Sequence, residues 1–188
     1  MPIPRAASPP DPFASIRDGT DAHRARHHCG AYPFSDGPAL AVIAAATGAR
    51  RILELGTALG YTALSLARGA PEARVDTIER DADHVRIARE NIAAAGYAQR
   101  ITVHEGDFQT VLARLEPGYD LAFFDGFGPT LGDLERMRAL LRPRGVLISS
   151  NLTVGGEAAQ YRAALLEAEA WLTSFALEGG RTAISVRI

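Results

Sequence analysis

The chain has 188 residues, 47% of them hydrophobic and 22% charged, with a net charge of −2; that suits one domain with a sizeable core and gives no electrostatic footprint for nucleic acid or an anionic membrane. All 20 basic residues are arginine, which excludes a Schiff-base lysine, a P-loop lysine and any ammonium base. The single Cys29 excludes an internal disulfide and a cysteine-cluster metal site, and no apolar run approaches the roughly 20 residues that span a bilayer.

Residues 1–12 carry five prolines and little apolar material, so they read as a loose arm, with residues 13–188 as one domain. This N-terminus lacks the apolar core of a signal peptide, and a soluble, cytoplasmic protein is expected. Residues 13–28 predict a weak helix carrying His23, His27 and His28. His23 and His27 share a helix face, the spacing of a two-histidine metal pair, but no third ligand is near in sequence; a solvated surface is the weightier reading, and a place beside an acceptor pocket another.

Ser35 or Asp36 caps the next helix, with Pro38 in its first turn and Gly48 ending it. The run Ile52 to Leu55 is apolar apart from Glu54, as a central parallel strand covered on both faces would be. It breaks at Gly56 and Gly60 into a helix over 61–68. Strand 74–79 leads to a helix over 82–95 capped by Asp81, and strand 101–105 to a short helix around Val111, Leu112 and Leu115. The apolar strand 119–126 is followed by a helix over 131–141, a strand over 146–151 and a helix over 155–170. Segments 171–177 and 182–188 read as a closing hairpin. Strand and helix thus alternate five times, which predicts an α/β, Rossmann-like doubly wound sheet with helices on both faces. The hairpin adds one antiparallel strand to the five parallel ones.

In such a sheet a ligand binds outside the carboxyl ends of the strands, where this chain places Gly56 to Gly60, Glu79, Asp107, Asp125 and Asn151. The turn is Glu-x-Gly-x-x-x-Gly rather than the Gly-x-Gly-x-x-Gly of a pyrophosphate site, which weighs against a nicotinamide dehydrogenase. Glu79 lies 23 residues after Gly56, near the roughly 20 expected of an acid that accepts from ribose hydroxyls. Together these favour a cofactor containing adenosine without phosphates.

The segment Leu53-Glu54-Leu55-Gly56-Thr57-Ala58-Leu59-Gly60-Tyr61-Thr62, with the strand ends that follow it, resembles the class I S-adenosylmethionine-dependent methyltransferases, and most of all the catechol and caffeoyl-CoA O-methyltransferase group. The likeness covers about residues 36–188. It implies that Glu54, Gly56, Thr57, Gly60, Tyr61 and Thr62 surround the methionine part of S-adenosylmethionine, that Glu79 and Arg80 lie at the ribose, and that Asp107, Phe108 and Gln109 flank the adenine. Asp125 would be nearest the transferred methyl, as a catalytic and cofactor-contacting residue.

The same family implies a divalent cation such as Mg²⁺ held by two aspartates and an asparagine, with a lysine as base. Asp125 and Asn151 match as metal ligands, but Ser150 stands in place of the second aspartate and Gly128 near the place of the lysine. Asp125 could equally be a substrate-orienting carboxylate, Asn151 a loop hydrogen-bonding residue and Asp107 a helix cap. The expected activity is methyl transfer to a small-molecule hydroxyl, phenolic in these relatives, without nucleic acid or membrane partners and with a homodimer implied. The alternative is a protein that binds S-adenosylmethionine without O-methyltransferase activity, which the absent lysine and aspartate would allow.

Overall fold

The computed structural model describes residues 10–188; the proline-rich stretch assigned to the arm lies mostly outside them. Seven strands form one sheet: β1 (Arg51–Leu55), β2 (Arg74–Glu79), β3 (Ile101–Glu105), β4 (Tyr119–Phe124), β5 (Leu141–Ser149), β6 (Trp171–Leu177) and β7 (Thr182–Arg187). Their order is β3-β2-β1-β4-β5-β7-β6, with β1 to β5 parallel and β7 antiparallel to both β5 and β6. The doubly wound sheet with its closing hairpin is therefore as the alternation predicts, and the order reverses between β1 and β4.

Side-chain alternation along the two central strands divides the core. Ile52, Leu121 and Phe123 pack with Leu40, Leu64 and Val85 on one face. Leu53, Leu55, Ala122 and Phe124 pack with Met137, Tyr161 and Trp171 on the other. The first face is covered by α1 (Ala14–His27), α2 (Gly37–Thr47), α3 (Tyr61–Gly69) and α4 (Ala82–Ala94), and the second by α5 (Phe108–Leu112), α6 (Leu131–Leu140) and α7 (Ala158–Leu165). Asp36 caps α2 by accepting from Ala39 N at 3.0 Å, and Asp81 caps α4 by accepting from the Asp83 and His84 amides.

Three elements differ from the sequence pattern. α7 covers eight residues rather than 155–170: Gly155 adopts φ +92°, and Glu167 and Glu169 would set negative charge against the carbonyl end of a longer helix. β5 starts at Leu141, because Tyr119 pairs with Leu141 and Leu121 with Val146, so residues 142–145 bulge between them. α5 begins at Phe108, since Asp107 accepts from Thr110 N at 2.8 Å and starts the helix early.

Among the described residues, no helix is long and apolar enough to cross a membrane.

Candidate active site

A cavity of about 830 Å³ opens at the carboxyl ends of β1 to β4. The turn after β1 forms its floor. Gly56 adopts φ +99°, and a Cβ there would come 2.9 Å from the Asp125 carbonyl oxygen, so only glycine lets this turn pass beneath the end of β4. Backbone bonds fasten it: Gly56 N donates to Ile78 O at 3.0 Å, and Asp125 N to Leu55 O at 2.8 Å. Gly60, at φ +96°, does not line the cavity; its missing Cβ faces Ile92 of α4 and eases packing of the two helices instead.

Glu79 projects from the end of β2, its carboxylate fixed by three backbone amides. Oε1 accepts from Arg80 N at 2.9 Å and Asp81 N at 3.0 Å, while Oε2 accepts from Ala58 N at 2.9 Å. The bond to Ala58 ties the acid to the glycine turn, so both reach the cavity in fixed relation. Glu54 does not reach it. That side chain is fully buried beneath the turn, where Thr77 Oγ1 donates to its Oε2 at 2.5 Å and Oε1 finds no partner among the described residues. Burial pushes its carboxyl up to about 8, with the hydrogen bond from Thr77 opposing. Glu54 therefore supports the turn from below.

Thr57, Tyr61, Thr62, Arg80, Asp107, Phe108, Gln109 and Asp125 all line the cavity. The Tyr61 hydroxyl is already committed: it donates to Asp11 at 2.7 Å and accepts from Gly37 N at 3.1 Å, which pins the chain just before α1 to α3. Asp107 is exposed, with both carboxylate oxygens on Thr110 as the cap of α5, and those bonds hold its pKa below the usual range. Phe108 packs edge-on against Phe124.

Asp125 follows β4 and is half-buried. Ser150 Oγ donates to its Oδ1, and Asn151 Nδ2 donates to the same oxygen at 3.3 Å and to the Gly126 carbonyl at 3.1 Å. Burial pushes the Asp125 carboxyl up to about 7, against the bonds from Ser150 and Asn151. A hard divalent cation needs converging oxygen acceptors. Here a hydroxyl and an amide NH₂ converge as donors on one carboxylate, Ser150 is 1% exposed, and Asn151 does not line the cavity. The residues implied as metal ligands thus do not fit such an ion, and Asn151 instead positions Asp125.

Sequence reasoning missed one whole wall. Residues 28–34, between α1 and α2, cover the cavity, and Phe127, Gly128, Thr130 and Asp133 close its far side. Phe127 is 81% exposed at the rim and Tyr32 62%. Of the three N-terminal histidines only His28 reaches this cavity; His23 and His27 line a smaller one beside it.

Residues 53–151 match the family model described as a methyltransferase domain, which covers more than half of the 188 residues. The chain belongs to this methyltransferase family. That bears out the resemblance to class I S-adenosylmethionine-dependent methyltransferases. This methyltransferase domain is 37% identical over 123 residues to the catechol O-methyltransferase of Mycobacterium tuberculosis, covering 64% of the chain and 56% of that protein. It is likewise 37% identical over 133 residues to the tRNA1(Val) (adenine(37)-N6)-methyltransferase of Aeromonas hydrophila, covering 69% and 55%. The chain spans about half the length of these curated relatives. A solved O-methyltransferase from Bacillus cereus in complex with SAH superposes with a TM-score of 0.77 at 26% identity, over 96% of this chain and 92% of the other.

Proposed function

We propose that this domain transfers a methyl group from S-adenosylmethionine to the hydroxyl of a small phenolic molecule, with Asp125 as the proton acceptor and no divalent ion. The observation that carries the reading is the Asp125 carboxyl at the cavity wall, held on one side by Ser150 and Asn151 and pushed up to about 7. A base with a pKa near the working pH combines a useful population of the charged form with real driving force for proton removal.

When bound, S-adenosylmethionine supplies an electrophilic methyl on a sulfonium. The residues present fit it. Glu79, fixed by three amides, has lone pairs left to accept from ribose hydroxyls, and the turn at Gly56 brings bare backbone to the cavity floor. Phe108 and Gln109 offer an apolar and an amide surface at the end of β3 for a purine. Asp125 takes the acceptor's proton as the oxygen attacks in line, and the wall of residues 28–34 limits water. The same reading includes a homodimer, which sedimentation of the full chain tests.

The likeness to a tRNA methyltransferase makes nucleic acid the competing acceptor. Labelled S-adenosylmethionine offered to catechols, other phenols and a tRNA transcript separates the two. Label on a phenol is expected. Label on the transcript alone, or tight cofactor binding with no transfer to any acceptor, would overturn the small-molecule assignment.

A further inference from the structure

Beside the large cavity, α1 and α4 enclose a smaller one of about 410 Å³. There the fold gathers three groups from separate parts of the chain: His23 from α1, Cys29 from the segment after it and His84 from the first turn of α4. Their ligand atoms all lie within 4.8 Å of one another. The His23 and His84 rings meet edge-on with centroids 5.2 Å apart.

We propose that His23, Cys29 and His84 bind a borderline-soft transition metal ion of the Zn²⁺ class, fastening α1 and the wall of the large cavity to α4. Two imidazoles and a thiolate are the donor set such ions prefer, whereas Mg²⁺ and Ca²⁺ require oxygens. Zinc bonds of about 2.0–2.3 Å in a tetrahedron put ligand atoms roughly 3.3–3.8 Å apart, so the cluster closes onto an ion by about an ångström of side-chain rotation.

A second observation points the same way. The His84 side chain is 8% exposed, yet its ring makes no hydrogen bond among the described residues; its nearest charged neighbour is Glu79 Oε1, 3.9 Å from Nδ1. His84 lines both cavities, so its ring keeps a lone pair available to an ion rather than committed to a protein partner. On coordination the Cys29 thiol gives its proton to solvent, and a tetrahedral ion keeps a fourth position open. Water takes that position, since His27, whose ring stacks on His23 with centroids 4.3 Å apart, is not among the clustered groups.

The test uses untagged full-length protein dialysed against chelator and then titrated with Co²⁺ or Zn²⁺ alone. The proposal expects one ion per chain, tetrahedral Co²⁺ bands with a thiolate charge-transfer band, and a rise in Tm of about 5 °C or more at saturating Zn²⁺. Cys29→Ser should abolish the charge-transfer band, and His23→Gln should weaken uptake at least about tenfold while circular dichroism stays unchanged. If His23→Gln fails to fold, Cys29→Ser decides alone. Absence of the band, or uptake unchanged in both variants, would leave only adventitious binding at exposed His27 and His28 and overturn the proposal. None of these readouts depends on methyl transfer.

Discussion

At the ends of β1 and β2 the cavity is built mainly from backbone: a turn that only glycine can make at Gly56, and a carboxylate at Glu79 oriented by three main-chain amides. At the ends of β4 and β5 it is built from side chains, with Asp125 carried by the hydroxyl of Ser150 and the amide of Asn151. The first construction tolerates few substitutions, because no other residue supplies the same dihedrals. In the second, exchanging one residue changes the chemistry. With Ser150 in place of an aspartate, the carboxylate of Asp125 is met by donors, and what resembles a metal ligand set becomes a hydrogen-bonded carboxylate, the base of the proposed reaction.

The sharpest way to break this contrast is Asp125→Asn. It removes the base and leaves the glycine turn, so methyl transfer should fall by on the order of 10²-fold or more while affinity for S-adenosylhomocysteine stays within a few-fold. Loss of both together would mean that Asp125 belongs to the cofactor half. In the unmodified protein, kcat/KM should rise with pH through about 7 as Asp125 ionises, and that limb should vanish in the variant.

Glu79→Ala tests the other half. Losing hydrogen bonds to a charged group should weaken S-adenosylhomocysteine binding by about 1.5–3 kcal/mol by calorimetry. Unchanged affinity would remove Glu79 from the ribose. A smaller effect is expected of Ser150→Asp, which restores a second carboxylate beside Asp125 and should raise affinity for Mn²⁺ or Mg²⁺ measured by titration. No gain would mean that positions 125, 150 and 151 do not face a common ion.

Glu54→Gln should have the smallest consequence for catalysis and a visible one for stability. Its folded pKa of about 8 lies above the ordinary value of 4.5, so the unfolded chain releases this proton first. The protein should lose stability as pH rises from about 4.5 to about 8, and the glutamine variant should show a flatter Tm across that window. An equal slope in both would show that Glu54 does not titrate this way.

Where contacts are local, the sequence was a sufficient guide. The strand-turn-helix at residues 51–69 and the acid at position 79 follow from apolar runs, glycine positions and a spacing, and the parallel sheet with its closing hairpin follows from strand and helix alternation. What stayed hidden depends on long-range packing. Gly60 reads as a ligand-facing glycine until Ile92 is seen opposite it, and Glu54 reads as a site residue until Thr77 is found bonded to it under the turn. The wall at residues 28–34 has no local signature, and the approach of His84 to His23 and Cys29 joins positions 55 or more apart in sequence. The short α7 and the bulge before Val146 reflect charge at a helix end and strand register, neither of which a hydrophobic period records.

Methyl transfer from labelled S-adenosylmethionine to a catechol panel, run in parallel with Mg²⁺ and with EDTA, puts the metal-free Asp125 mechanism to its most direct test. Transfer should be indifferent to EDTA and increase with pH through about 7. Transfer abolished by EDTA and restored by Mg²⁺ would contradict that mechanism, and would mean that Asp125 and Asn151 hold a working ion in spite of Ser150.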